Sequence, residues 1–226
     1  MSAYRLHKTV MGVVVVGLGL AYGPVRGQTG EQIAKSGNAA GAPACATCHG
    51  TAGQGQGAVG FPRLAGMNAD YFSAQLRSFH DGTRANPIMG PVANLLSASD
   101  AKALATYYAA LPIFDATGDA AASSSIVAAG EALANNGEWK SGVPACAQCH
   151  GATGLGVGEA FPQIAGQSVV YISNQLQAWK AGTRKNDPMG LMHGIALKLS
   201  AADVSAVASY YASLPSASAA KAKVKP

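Results

Sequence analysis

The chain of 226 residues is long enough for one or two domains, and with 49% hydrophobic residues it is too apolar for intrinsic disorder. Its formal net charge of +5 arises at the ends, from Arg5, Lys8 and Arg26 and from Lys221, Lys223 and Lys225. Between them acidic and basic residues balance, which excludes the basic stripe of a nucleic-acid-binding surface.

Residues 1–27 read as a secretory signal. Arg5 and Lys8 form its positive start, and an apolar run follows from Val10 to Tyr22. That run is short for a membrane span, which needs about 20 apolar residues. Val25-Arg26-Gly27 is an imperfect cleavage site, so retention as an anchor is the alternative. In both cases the folded part lies outside the cytoplasm, and no other stretch is expected to span a bilayer.

Residues 28–114 form the first unit. Glu31 to Lys35 starts a short helix. Cys45-Ala46-Thr47-Cys48-His49 follows, a C-x-x-C-H run. Asn68 is placed to cap a helix that carries Tyr71, Phe72, Gln75, Leu76 and Phe79 at helical spacing and stops at Asp81-Gly82. Ser97, with Asp100 three residues on, caps a last helix bearing Leu104, Tyr107, Tyr108 and Leu111, and Pro112 ends it.

Residues 115–125 are small and polar and read as a linker. Residues 126–215 then repeat the first unit about a hundred residues later. Gly30 recurs as Gly130, Phe61-Pro62 as Phe161-Pro162 and Ala65-Gly66 as Ala165-Gly166. Gly82-Thr83-Arg84 recurs as Gly182-Thr183-Arg184, and Tyr107-Tyr108 as Tyr210-Tyr211. The second C-x-x-C-H is Cys146-Ala147-Gln148-Cys149-His150. Residues 216–226, rich in Ala, Ser and Lys, read as a flexible tail. No segment alternates as a strand, so both units are expected to be helical.

The two runs use all four cysteines, and C-x-x-C-H is the attachment signature of c-type haem. Cys45, Cys48, Cys146 and Cys149 would bond two haems covalently, and His49 and His150 would ligate the irons. A zinc site, disulfides or redox dithiols would not require a His directly after both second cysteines. The sixth ligand separates open haems that react with peroxide from closed ones that carry electrons. Met89 is the choice in the first unit, with Met67 its rival at a helix start. In the second unit Met189 and Met192 compete. Counting back from the last helix favours Met192, because Met89 and Met192 each lie eight residues before the capping serine.

The double C-x-x-C-H, the repeated Phe-Pro-x-[Leu/Ile]-Ala-Gly, the Tyr-x-x-x-Gln-Leu helix and Asn186-Asp187-Pro188-Met189 resemble the cytochrome c4 family. The resemblance spans Gly30 to Pro215. It implies an all-α chain of two tandem class I cytochrome c domains, each holding one haem c with His/Met ligation. It matches Met89 and Met192 to the axial methionines. It matches Pro62 and Pro162 to the proline whose carbonyl accepts a hydrogen bond from the ligand His. It also implies a periplasmic electron carrier, not an enzyme, that takes electrons from a quinol-oxidising complex or dehydrogenase and delivers them towards a terminal oxidase. The alternatives are the cytochrome subunit of a flavocytochrome dehydrogenase, for example one acting on sulfide, and a dihaem peroxidase.

Overall fold

The computed structural model describes residues 27–113, 122–187 and 189–215. The expected signal, most of the linker and the tail lie outside the described residues. Those described are helical, with isolated β-bridges but no named strand.

The first unit contains α1 (Gly30–Ser36), α2 (Ala46–His49), a 3-10 turn (Gly57–Val59), α3 (Ala69–His80), α4 (Met89–Ala93) and α5 (Ala98–Ala110). The second contains α6 (Ser124–Asn136), α7 (Ala147–His150), α8 (Val169–Lys180), α9 (Leu191–Lys198) and α10 (Ala201–Ser213). The caps are where the side chains predict them. Asn68 accepts from the backbone N–H of Asp70 and Tyr71, and Ser97 with Asp100 and Ser200 with Asp203 form full capping boxes. Helix α6 starts at Ser124, inside the stretch read as linker, because Ser123 takes the extended conformation of an N-cap. The short helices α4 and α9 have too few residues for a legible periodicity.

In each unit the first helix crosses the last: α1 packs on α5 and α6 on α10. The repeated glycines make these crossings. A Cβ on Gly30 would sit 2.1 Å from the Ala103 carbonyl oxygen, and one on Gly130 2.0 Å from that of Ala206. Only a residue without a side chain lets the backbones approach so closely. The cores around these crossings are separate. One gathers Ile33, Phe72, Leu76, Leu104 and Tyr108. The other gathers Val143, Ile172, Leu176, Val204, Val207 and Tyr211. Burying each such side chain contributes about 1.5–3 kcal/mol.

The units meet across an approximate two-fold arrangement. Arg84 and Arg184 form an antiparallel bridge, in which Ala85 N–H donates to Thr183 O (2.8 Å) and Lys185 N–H to Thr83 O (2.6 Å). Both guanidinium groups are buried and cross to the opposite unit. Arg84 donates to the Tyr171 hydroxyl (2.9 Å) and Gln175 Oε1 (2.6 Å). Arg184 donates to the Tyr71 hydroxyl (3.0 Å) and Gln75 Oε1 (3.1 Å). These acceptors are neutral, so two like charges are held at a cost in solvation. Aromatic faces offset part of it: Arg184 lies 3.8 Å from the Trp179 ring and Arg84 4.5 Å from Phe79. Burial, with Arg84 alongside, pulls the Arg184 guanidinium below its ordinary value. At Tyr171 burial pushes the phenol up, but the two arginines outweigh it and hold it below its usual value.

Candidate functional site

The two C-x-x-C-H runs fold into the same single turn. Cys45 and Cys146 share φ −59° and ψ −34°, and the backbone N–H of His49 and His150 each donates to the carbonyl of the first cysteine at 2.9 Å. The turn therefore carries two thiols and an imidazole in one short segment. No disulfide joins the four cysteines, and all are partly buried. Burial pushes the Cys45 and Cys146 thiols above their usual value, while hydrogen bonds with the Tyr108 and Tyr211 hydroxyls pull the other way. Those tyrosines are the second members of the repeated Tyr-Tyr pairs.

His49 and His150 are buried, and their Nδ1 atoms lie 2.9 Å from the carbonyl oxygens of Pro62 and Pro162. A carbonyl can only accept, so Nδ1 carries the proton, and Nε2 is the nitrogen left to meet a metal. Burial pushes both imidazoles below the usual histidine range, more than the proline carbonyls raise them, which keeps the rings neutral. Phe61 and Phe161 stand beside the rings, with centroids 6.2 and 6.4 Å away.

The methionines divide by environment. Met89 packs against the first core and Met192 against the second, whereas Met189 is 80% exposed. Met67 also packs on the first core. The Met89 backbone N–H donates to Asn86 Oδ1 (2.8 Å), and those of Met192 and His193 donate to Asp187 Oδ2. His193 is exposed and its Nδ1 lies 2.8 Å from the Trp179 carbonyl, tying α9 to the end of α8. His80 is exposed.

The fold keeps Cys45 and Cys48 in one unit and Cys146 and Cys149 in the other. Among the described residues no group of three or more His, Cys, Asp or Glu side chains could hold a metal ion, so the zinc alternative has no assembled site. The residues do fit haem. Each unit offers two thiols for thioether bonds, a neutral imidazole oriented through Nδ1, and a half-buried thioether. Trp179 Nε1 is a buried donor without an acceptor among the described residues, and a haem carboxylate would satisfy it.

Four side chains that the fold brings together between the units belong to no ligand or capping motif in the sequence. Arg84 and Arg184 were visible only as a repeated Gly-Thr-Arg. Arg63 and Gln167 fall where the repeat breaks, being Gln163 and Met67 in the other copy.

A family model described as "Cytochrome c" matches residues 127–215, and one described as "Cytochrome C oxidase, cbb3-type, subunit III" matches residues 30–107. The chain is 48% identical to the "Thiosulfate dehydrogenase electron acceptor" of Thiomonas intermedia, over 77% of this chain and 80% of that one. It is 37% identical to the "Cytochrome c4" of Pseudomonas aeruginosa, over 75% of this chain and 83% of that one. Among solved structures it resembles a thiosulfate dehydrogenase (TsdBA) from Marichromatium purpuratum, with TM-score 0.77 and 42% identity. The match covers 82% of this chain and 40% of that longer one. It also resembles reduced cytochrome c4 from Pseudomonas stutzeri, with TM-score 0.71 and 30% identity, over 84% of this chain and all of that one.

Proposed function

The chain belongs to the cytochrome c4 family, with two haem c groups in tandem class I domains, and we propose that it is the electron acceptor of a thiosulfate-oxidising dehydrogenase. The observation that carries this reading is that its identity to a named acceptor of that enzyme exceeds its identity to the Pseudomonas aeruginosa cytochrome c4. The electrons then pass towards a terminal oxidase, and the protein itself is not catalytic. It works in the periplasm, after export directed by residues 1–27. No single helix among the described residues is long and apolar enough to cross a membrane. The two domains are residues 28–114 and, with α6 included from its cap Ser123, 123–215, joined by the linker between them.

Cys45, Cys48, Cys146 and Cys149 would hold the haems covalently, and His49 with Met89 and His150 with Met192 would ligate the two irons. When bound, each haem supplies an iron that exchanges one electron with a partner. The protein's part is to keep each coordination sphere unchanged while that happens. Pro62 and Pro162 hold the imidazole rings in orientation and in one tautomer through Nδ1. Met192 is favoured over Met189 because it is packed on the core beside α8, whereas Met189 faces solvent. A thioether available in both units would close both irons, which speaks against the peroxidase alternative.

The test is stopped-flow mixing of the oxidised protein with thiosulfate and catalytic amounts of a thiosulfate dehydrogenase. Reduction of both haems is expected. No reduction, alongside rapid reduction by a sulfide-oxidising flavoprotein, would overturn the reading in favour of the flavocytochrome alternative.

A further inference from the structure

The interface hydrogen-bonds the peptide beside His49 in the first unit, whereas beside His150 in the second it only lines a cavity. Gln167, buried in the second unit, grips Arg63 of the first at both ends of its backbone. The Arg63 N–H donates to Gln167 Oε1 (3.1 Å), and Gln167 Nε2 donates to the Arg63 carbonyl (2.9 Å). Arg63 is itself buried and spans the units, donating to the carbonyls of Ala65 and Ala165, each at 3.0 Å.

The Arg63 N–H belongs to the same peptide group as the Pro62 carbonyl, and that carbonyl is the partner of His49 Nδ1. One amide therefore accepts a hydrogen bond from His49 Nδ1 at its oxygen and donates its own N–H to Gln167. Hydrogen bonds in such a chain polarise one another, so the acceptor at the N–H end strengthens the carbonyl end. A stronger bond to Nδ1 makes the imidazole a more basic ligand, which favours ferric iron and lowers the potential.

The second unit lacks this arrangement. Its equivalent peptide is Pro162–Gln163, and the residue matching Gln167 is Met67, whose thioether is only a weak acceptor. Met67, Tyr71, Phe161, Pro162 and Gln163 line a cavity of about 260 Å³ there. The first unit's loop is packed instead: a Cβ on Gly60 would lie 3.0 Å from Val170 Cγ1 of α8.

We infer that Gln167 is a positioning residue for His49 across the domain interface, so the docked second domain lowers the potential of the first haem without a reciprocal effect. This rests on the reading of His49 as a haem ligand. The test uses the full-length holoprotein and a redox titration followed by the hyperfine-shifted NMR signals of each haem. In Gln167→Met, which copies the first unit's own residue, the first potential rises and the second stays. Exchange of the Arg63 amide quickens about tenfold, the loss of one buried hydrogen bond. The reciprocal Met67→Gln, a residue the second unit already accommodates in this turn, lowers the second potential and leaves the first. A first potential that is unchanged or lowered in Gln167→Met, or equal displacement of both, overturns the inference. So does a second potential that stays put in Met67→Gln. Absence of shifted His49 ring signals in the unmodified protein would instead fail the ligand reading.

Discussion

Replacing Gly130 with Ala tests the helix crossing on which the second domain rests. The new Cβ would lie 2.0 Å from the Ala206 carbonyl oxygen and 2.8 Å from Tyr210 Cβ. A carbon sits no closer than about 3.3 Å to a carbonyl oxygen, so α6 and α10 must part by about 1.3 Å. No rotamer change relieves a clash with backbone, which puts the cost near the upper end of the 1–3 kcal/mol typical of overpacking, about 3 kcal/mol. Alanine's better helix propensity returns about 1 kcal/mol. The net loss of about 2 kcal/mol lowers the melting temperature by roughly 10 °C for a domain of this size. The assay is a thermal melt of the holoprotein followed by far-ultraviolet circular dichroism. Gly194→Ala is the control. Gly194 lies in α9 with nothing within 4 Å of its would-be Cβ, so that variant gains propensity without a clash and melts at the same temperature or higher. A Gly130→Ala protein that melts with the unmodified one would refute the close-crossing argument.

Gly30→Ala, whose Cβ would meet Ala103 O at 2.1 Å, should destabilise the first domain comparably in the same melt. Tyr171→Phe removes the hydroxyl that accepts from the buried Arg84 and should cost about 1.5–3 kcal/mol, the range for hydrogen bonds to charged groups, read as a lower denaturant midpoint. Asp100 is held below the usual carboxylate value because bonds from Ser97 and Asn38 outweigh burial, which would raise it. Its contribution is therefore complete above the unfolded carboxylate value and fades as pH falls through the folded one. The melting difference between the natural protein and Asp100→Asn should accordingly narrow below about pH 4.

Much of the molecule is legible because it is written twice. The capping serines, the tyrosine pairs and the two C-x-x-C-H turns announce themselves by recurrence, and each repeats a local rule of helix or ligand chemistry. The Pro62 and Pro162 carbonyls follow from family resemblance, and the structure sets both 2.9 Å from the histidines. The interface was not legible, because Arg84 and Arg184 read singly as solvated charges. Their burial depends on Tyr71, Gln75, Tyr171 and Gln175 arriving from the opposite copy, which no local pattern encodes. Gln167 was hidden for a different reason. Its role lies where the copies differ, and comparison for likeness passes over the differences.

The proposed carrier, with a thioether on each of its two irons, is tested most directly by the sulfur-to-iron charge-transfer band of the oxidised protein. Met89→Ala and Met192→Ala should each lose about half of the band, one haem of two, while Met189→Ala keeps all of it, since that side chain is 80% exposed. Loss of the band in Met189→Ala with retention in Met192→Ala would refute ligation by Met192, and its absence from the unmodified protein would refute thioether ligation altogether.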